Sequence, residues 1–311
     1  MNPYLEMNLD PQAFPLGILS IASMAKDAGY TIYFEDRALK ASNIKKTFNK
    51  FMPDILAVSL VSIKGLRDAK YISKYAKDRG LITVWGGPFA TMASEAILRD
   101  GFADIVCVGE GEGTFIELLE KLEKSEPYFD IKGIAFIKNG IYIRNPDRDF
   151  IPGEELPIID FSLIPAKKYL HPYHNCIKMG FLYSSKGCNG QCTFCFNKDF
   201  HHSTYRKRPI ENVLSEISYL AKTSGLDGVF FADELWCTNK ADVLRNCKAI
   251  IDSGLQFVWG CMIRFGMLDR SDYEYMYQSG CRWLYFGIES GSPERLKKIK
   301  KMSTLCCLNS I

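Results

Sequence analysis

The sequence predicts an α/β protein built from two successive folds. The first is a doubly wound, Rossmann-like parallel sheet, and the second an incomplete (β/α) barrel. Three observations predict this. Short apolar runs alternate with amphipathic runs of helical period from Leu16 to about Ser125. After a proline-rich break, the same strand–helix alternation repeats four times. Glycines stand where helices end and where strands run into loops.

Leu16–Lys26 is apolar at helical spacing and stops at Gly29, a natural C-terminal cap. Thr31–Glu35 reads as a strand, Ser42–Phe51 as a helix and Asp54–Ser62 as a buried strand. Gly65–Arg79 is a helix closed by Gly80, and Leu81–Trp85 a strand running into Gly86-Gly87-Pro88. Glu95–Arg99 reads as a short helix, Ala103–Val108 as a strand and Gly113–Glu123 as a helix. Strands this continuous in apolar residues belong to a parallel sheet covered on both faces. Gly133–Arg144 alternates around Asn139-Gly140, a two-residue hairpin signal.

Pro146, Pro152, Pro157, Pro165 and Pro172 mark residues 145–178 as a linker with few regular elements, and the domain boundary is set near Pro157. Strands are then expected at about 179–186, 227–233, 256–264 and 282–289, with helices at about 209–223, 240–253, 269–279 and from 293 onward. Pro209 suits a first helical position, and Gly225, Gly254 and Gly280 follow helix ends. The division expected is 1–128 for the first domain, 129–178 for hairpin and linker, and 179–311 for the barrel units.

Composition bounds the class. A chain of 311 residues with 47% hydrophobic residues supports about two domains, and a net charge of +3 gives no argument for nucleic acid. The basic run Tyr205-Arg-Lys-Arg208 reads as a solvated helix start. No apolar stretch reaches the roughly 18 residues of a membrane span, and the first residues lack a signal-peptide pattern. Eleven cysteines in irregular positions then fit a reducing cytoplasm better than a disulfide framework.

The chemistry concentrates at Cys188, Cys192 and Cys195, spaced C-x3-C-x2-C with Phe194 before the last cysteine. Three thiolates on one loop suffice for three irons of a 4Fe–4S cluster and leave the fourth iron open. Structural zinc sites close with four ligands, and purely electron-carrying clusters tend to be fully held by protein. A zinc knuckle completed by His201 or His202, or three chance thiols, are the alternative readings. Repeated βα units put reactive residues at strand carboxyl ends. These are the cysteine triplet, Asp233 and Glu234, Arg264, and Glu289 with Ser290.

The triplet with its aromatic resembles the radical S-adenosylmethionine (SAM) superfamily, and Gly287-Ile-Glu-Ser-Gly-Ser292 resembles that family's SAM-contacting stretch. The resemblance implies a cluster on Cys188, Cys192 and Cys195 and SAM on its free iron. SAM contacts are expected from Phe194, Asp233, Glu234, Arg264, Glu289 and Ser290. Asp233 and Glu234 read equally as cap and salt-bridge residues.

In doubly wound sheets ligands bind beyond the strand carboxyl ends. Placed there are Ser59 and Ser62, Gly86-Gly87-Pro88, and Gly109-Glu110-Gly111-Glu-Gly113, whose last loop opens a helix with free N–H groups. With the Pro-Leu-Gly near residue 15 and the following cysteine triplet, these turns resemble the cobalamin-binding domain fused to many radical SAM enzymes. Gly17 is followed by 41 residues (18–58) and then Ser59, which matches the serine spacing of cobalamin domains. The usual histidine is absent, since no histidine precedes residue 171. Cobalamin contacts are expected from Ser59, Ser62, Gly86, Gly87, Pro88, Gly109, Glu110 and Gly111, with no histidine from this domain on the lower face.

The resemblance implies reductive cleavage of SAM to a 5′-deoxyadenosyl radical, hydrogen abstraction from an unactivated carbon, and methyl transfer from methylcobalamin. Cyclisation or rearrangement is the alternative chemistry, and an inactive or binding-only fragment the alternative class. A methylthiotransferase would need further N-terminal cysteines, whereas the first domain offers only Cys107. A small-molecule, peptide or natural-product substrate and an electron donor such as flavodoxin or ferredoxin are implied as partners. Against the family pattern the chain is expected to be truncated at both ends. Asn2-Pro3 stands where a central strand should finish, residues 303–311 cover only the start of the fourth helix, and Cys306 and Cys307 match no motif. Residues 1–311 alone are therefore expected to aggregate and to turn over SAM poorly.

Overall fold

The computed structural model describes residues 13–301 except 38 and 40–42. The expectations placed on Asn2-Pro3, Ser42, Cys306 and Cys307 lie outside the described residues. Two compact units result: one holds Pro15–Ile151 with Ile159–Ile164, and the other holds Phe14, Pro152–Ile158 and the chain from Pro165 onward.

In the first unit, helix α1 (Leu16–Asp27) is followed by α2 (Ile44–Phe51), β1 (Ile55–Ser59), α3 (Leu66–Lys77) and β2 (Ile82–Gly86). Helices α4 (Pro88–Met92) and α5 (Ser94–Arg99), strand β3 (Ile105–Cys107), α6 (Glu112–Glu123) and the hairpin β4 (Ile134–Lys138) and β5 (Ile141–Arg144) complete it. The sheet order is β1-β2-β3-β4-β5, parallel through β3 and antiparallel beyond it. The hairpin expected around Asn139-Gly140 thus extends the first sheet, which is mixed rather than wholly parallel.

Alternation of side chains across the pleat explains why both sheet faces are buried. Val58, Trp85, Val106 and Ala135 point to one face, packed on Ile72 and Ile97, while Val84, Ile105, Ile134 and Phe136 fill the other beside Leu118. Trp85, wholly buried, keeps its indole N–H satisfied by donating to Ser73 Oγ at 2.8 Å. Thr31–Glu35, expected as a strand, is not one: among the described residues no strand ladders with it. Sequence periodicity alone cannot supply a partner.

The second unit contains β6 (His171–Tyr173), β7 (Cys176–Leu182), β8 (Ser185–Gly187), α7 (Asn197–Phe200), β9 (Tyr205–Lys207) and α8 (Ile210–Ser224). Then come β10 (Gly228–Phe231), α9 (Lys240–Asp252), β11 (Val258–Ile263), α10 (Arg270–Gln278), β12 (Cys281–Phe286) and α11 (Pro293–Lys298). Strands β7, β10, β11 and β12 are mutually parallel in the order β12-β11-β10-β7-β6, with β6 antiparallel at the edge. Helix boundaries follow local chemistry. Asn239 and Ser292 cap α9 and α11 through their side chains, Asp269 forms a reciprocal capping box on α10, and Gly225 closes α8 in the left-handed conformation. One face of the sheet buries Phe231 and Trp259, with Trp236 stacked on the first and tilted against the second.

The run Tyr205–Arg208 departs from its expected solvated role. Its first three residues form β9, and Arg208 is buried against a buried Glu216. The Arg208 guanidinium also donates to the carbonyls of Tyr183 and Pro157 at 2.9 Å each and lies 4.8 Å from the Tyr183 ring. A run of positive charge does not reveal that its last member has a carboxylate waiting two turns into the next helix.

Candidate functional site

Strands β8 and β9 pair antiparallel through Ser185–Lys207, Lys186–Arg206 and Gly187–Tyr205, and the three cysteines ride on the segment between them. Gly187 ends β8 with φ +78°, and a Cβ there would collide with the Thr204 carbonyl. Only glycine meets both demands. Gly190 N–H donates to Cys188 Sγ at 3.3 Å, and a Cβ built on Gly190 would stand 3.3 Å from that sulfur and 3.9 Å from Cys192 Sγ. The Cys195 N–H bonds the Cys192 carbonyl at 3.1 Å, and the Thr193 N–H bonds the Ile299 carbonyl beyond α11 at 3.1 Å.

Cys188 and Cys192 are half-buried and Cys195 is exposed, whereas Cys107, Cys176, Cys237, Cys247, Cys261 and Cys281 are buried. Burial pushes the thiols of Cys107 and Cys281 up to about 12 and that of Cys176 to about 11, so these pack as small apolar groups. Burial raises the Cys192 thiol as well, while Lys301 pulls it down.

Among the described residues no three His, Cys, Asp or Glu side chains converge on a single metal ion. A mononuclear zinc site would bring thiolates to roughly 3.8 Å of each other, from Zn–S bonds of about 2.3 Å. Thiolates serving different irons of a cubane stand farther apart. A three-thiolate loop with a backbone N–H on one sulfur fits a cluster, since hydrogen bonds to sulfur are among the features that tune such centres.

Around this loop stand most of the other expected residues of the second unit. Arg264, just past β11, donates to Asn189 Oδ1 and lies 3.9 Å from Cys188 Sγ. Phe194 is 56% exposed, with Lys301 Nζ 6.0 Å from its ring. Glu289 follows β12 with φ +63° and accepts from Lys301 at 3.3 Å. A non-glycine residue in that region carries backbone strain, which concentrates at functional sites. Ser290 Oγ accepts from the Ser292 N–H at 3.1 Å.

Asp233 lies elsewhere than at a solvent-facing edge: it is wholly buried, and its Oδ1 accepts from Ser184 and Ser185. Burial pushes its carboxyl up to about 7 against the pull of the Ser185 hydrogen bond. Burial would also raise Glu234, but hydrogen bonds from His201 and Gly187 hold its carboxyl below the ordinary value. Sequence reasoning did not find Asn197, two residues past Cys195. Both its amide atoms are buried without a partner. Its residue type carries no signal by itself; only its place beside the triplet does.

In the first unit the expected residues collect at the carboxyl ends of β1, β2 and β3. Gly87 has φ +89°, and a Cβ there would meet Leu60 O at 2.7 Å and Ser59 Oγ at 3.1 Å. Gly109, with φ +79°, donates its N–H to Thr91 Oγ1 at 3.0 Å. Gly86 closes β2, Pro88 opens α4, and Ser62 precedes a 3-10 turn without capping it. Glu110 is half-buried, and Gly111 is pressed against the Ile21 side chain. On the same edge Val61, Ile63 and Met92 are 62%, 65% and 68% exposed. Bare backbone turns rimmed by exposed apolar side chains fit a large, flat, partly apolar ligand. No histidine is available in this unit.

Comparison with known proteins agrees with both halves. The family described as B12 binding domain matches residues 8–119, and the radical SAM superfamily matches residues 182–305. An uncharacterized methyltransferase of Pyrococcus horikoshii is 31% identical over 92% of this chain and 63% of its own length. The anaerobic magnesium-protoporphyrin IX monomethyl ester cyclase of a Synechocystis strain is 28% identical over 93% of this chain and 59% of its own. The chain thus spans less than two thirds of either relative. The structure of OxsB, a cobalamin-dependent SAM radical enzyme, superposes with a TM-score of 0.80 at 19% identity, over 94% of this chain and 44% of that one. The radical SAM match implies a 4Fe–4S cluster and SAM, and the B12-binding match implies cobalamin. The chain belongs to the radical SAM superfamily and carries an N-terminal cobalamin-binding domain.

Proposed function

We propose that this chain provides the cofactor-binding part of a cobalamin-dependent radical SAM methyltransferase acting on an unactivated carbon of a small-molecule or peptide substrate. The observation that carries the proposal is the cysteine triplet on a hairpin loop, with Arg264 at one of its sulfurs, in a chain whose other unit ends in a glycine-turn edge. Cys188, Cys192 and Cys195 would hold the cluster. Phe194, Arg264, Glu289 and Ser290 would orient SAM. The turns at Ser59, Gly87 and Gly109 would admit cobalamin to bare backbone. When bound, the three groups supply one-electron cleavage of SAM and a transferable methyl group, and the protein's part is to orient them and exclude water and oxygen.

Within that division Arg264 places positive charge beside the cysteine loop, where an anionic cluster and a carboxylate ligand both need it. The exposed ring of Phe194 offers a stacking face for a planar base. Among the described residues no helix is long and apolar enough to cross a membrane. The low-potential electron would come from a flavodoxin- or ferredoxin-like donor in the cytoplasm. Cyclisation is the second reading, favoured by the 28% identity to a named cyclase.

The test is anaerobic reconstitution followed by incubation with SAM and a strong reductant. Release of 5′-deoxyadenosine or of S-adenosylhomocysteine, even slow, or a shift of the reduced-cluster resonance on adding SAM supports the proposal, and a reduced cluster that neither responds to SAM nor cleaves it overturns it. A further expected outcome concerns cobalamin. With no histidine before residue 171, the cobalt(II) electron paramagnetic resonance spectrum should lack hyperfine splitting from an axial protein histidine nitrogen. Such splitting would contradict the account of this edge.

A further inference from the structure

The loop that carries the cysteines is long and partly exposed, so something must fix its two stems. Strand β10 ends at Phe231, and Ala232 continues its pairing by donating to the Leu182 carbonyl at 2.7 Å. The next two residues are carboxylates: Asp233 turns to the upstream stem, and Glu234 turns to that stem and to His201.

Asp233 Oδ1 accepts from the Ser184 N–H at 2.9 Å, the Ser184 hydroxyl at 3.2 Å, the Ser185 hydroxyl at 2.5 Å and the Ser185 N–H. Four donors on one oxygen offset the cost of burying a carboxylate, and they immobilise the first residue of β8 and the one before it. Its Oδ2 has no partner. Glu234 Oε2 accepts the Gly187 N–H at 3.1 Å, on the residue directly before Cys188. Glu234 Oε1 lies 3.5 Å from His201 Nε2. His201 stands just after α7, and its carbonyl accepts from the Thr204 N–H at 2.8 Å and the Thr204 hydroxyl at 2.6 Å. Ser184, Ser185 and Gly187 at the upstream stem, 47–49 positions before their acceptors, and His201 within the segment before β9 are therefore tied to one dipeptide.

We infer that Asp233 and Glu234 are positioning residues that tie the upstream stem of the cysteine loop to its far end at His201 and set where its thiolates stand. This rests on the reading of that loop as the cluster site. It also gives the two carboxylates a task other than contact with SAM. Asp233 holds the loop through its oxygen acceptor, so asparagine, which keeps Oδ1 and replaces only the unpartnered oxygen, should substitute for it.

Amide hydrogen exchange on the chain before reconstitution tests the clamp without any cofactor. In Asp233→Ala the protection of the Ser184 and Ser185 amides is expected to fall by roughly ten- to a hundredfold, the usual range for a lost charged hydrogen bond. The amides of α8 and β11 should be unchanged, and Asp233→Asn should stay close to the parent. Glu234→Ala should lower protection at Gly187 alone, and Glu234→Gln, which keeps an acceptor, should stay close to the parent. After reconstitution the reduced-cluster resonance of Asp233→Ala should broaden or shift, whereas that of Asp233→Asn should not. Unchanged protection in Asp233→Ala overturns the clamp, and so does equal loss in the alanine and asparagine variants or loss spread over the whole unit. Failure of the cluster reading is separate: iron uptake that survives Cys192→Ala would overturn that reading and leave the exchange result standing.

Discussion

Replacing Cys192 by alanine is expected to take reconstituted iron from about four atoms per chain to almost none, with loss of the broad visible absorbance of a 4Fe–4S centre. The expectation follows from ligand count: three thiolates already leave one iron without a protein ligand, and two cannot hold the cubane. Cys237→Ala is the matched control. Cys237 is wholly buried, its sulfur accepts only a weak bond from Asn246 Nδ2 at 3.5 Å, and burial raises its thiol far above the ordinary value. It should change iron content by nothing measurable. Equal loss from both substitutions, read by iron analysis, would contradict the assignment of the loop.

Removing the carboxylate of Glu216 should be the most destabilising change in the second unit. Arg208 and Glu216 have fully buried side chains, and the guanidinium's other partners are the carbonyls of Tyr183 and Pro157. Glu216→Ala leaves a buried cation without its hydrogen-bonded carboxylate, with Asp233 as a more distant negative neighbour, which costs about 3–5 kcal/mol. A whole domain is typically stable by only about 5–15 kcal/mol. Urea unfolding followed through the second unit should show the midpoint fall accordingly. The double change Arg208→Met with Glu216→Leu should recover much of the loss, because apolar replacements of similar size remove both desolvation costs. A loss under about 1 kcal/mol in Glu216→Ala would show that water reaches the pair.

Much of the fold was legible because its boundaries are written locally. Gly225 marks a helix end in the sequence and closes α8 in the structure, and the helices expected from about 240, 269 and 293 start where Asn239, Asp269 and Ser292 cap them. The four parallel strands of the second unit fall where apolar runs stand between those marks. Strand β6 was hidden in the proline-rich segment, since His171-Pro-Tyr173 has no strand pattern and pairs only because β7 offers an edge. Thr31–Glu35 failed in the opposite sense, having the pattern but no ladder among the described residues. The cysteine triplet was legible from spacing alone. The work of Asp233 was not, because its donors at Ser184 and Ser185 lie 49 and 48 residues away, and sequence shows a carboxylate at a strand end without showing which way it turns. Arg208 was misread for the same reason.

The central claim is that one chain carries a cluster site in its second unit and a cobalamin site in its first. The most direct measurement is metal analysis after anaerobic reconstitution with iron, sulfide and hydroxocobalamin and removal of unbound material. The account predicts about four irons and about one cobalt per chain. Iron should be lost in Cys192→Ala with cobalt kept, and cobalt lost in Gly87→Val with iron kept. Cobalt that never binds, or that disappears together with iron in Cys192→Ala, would contradict two separate sites.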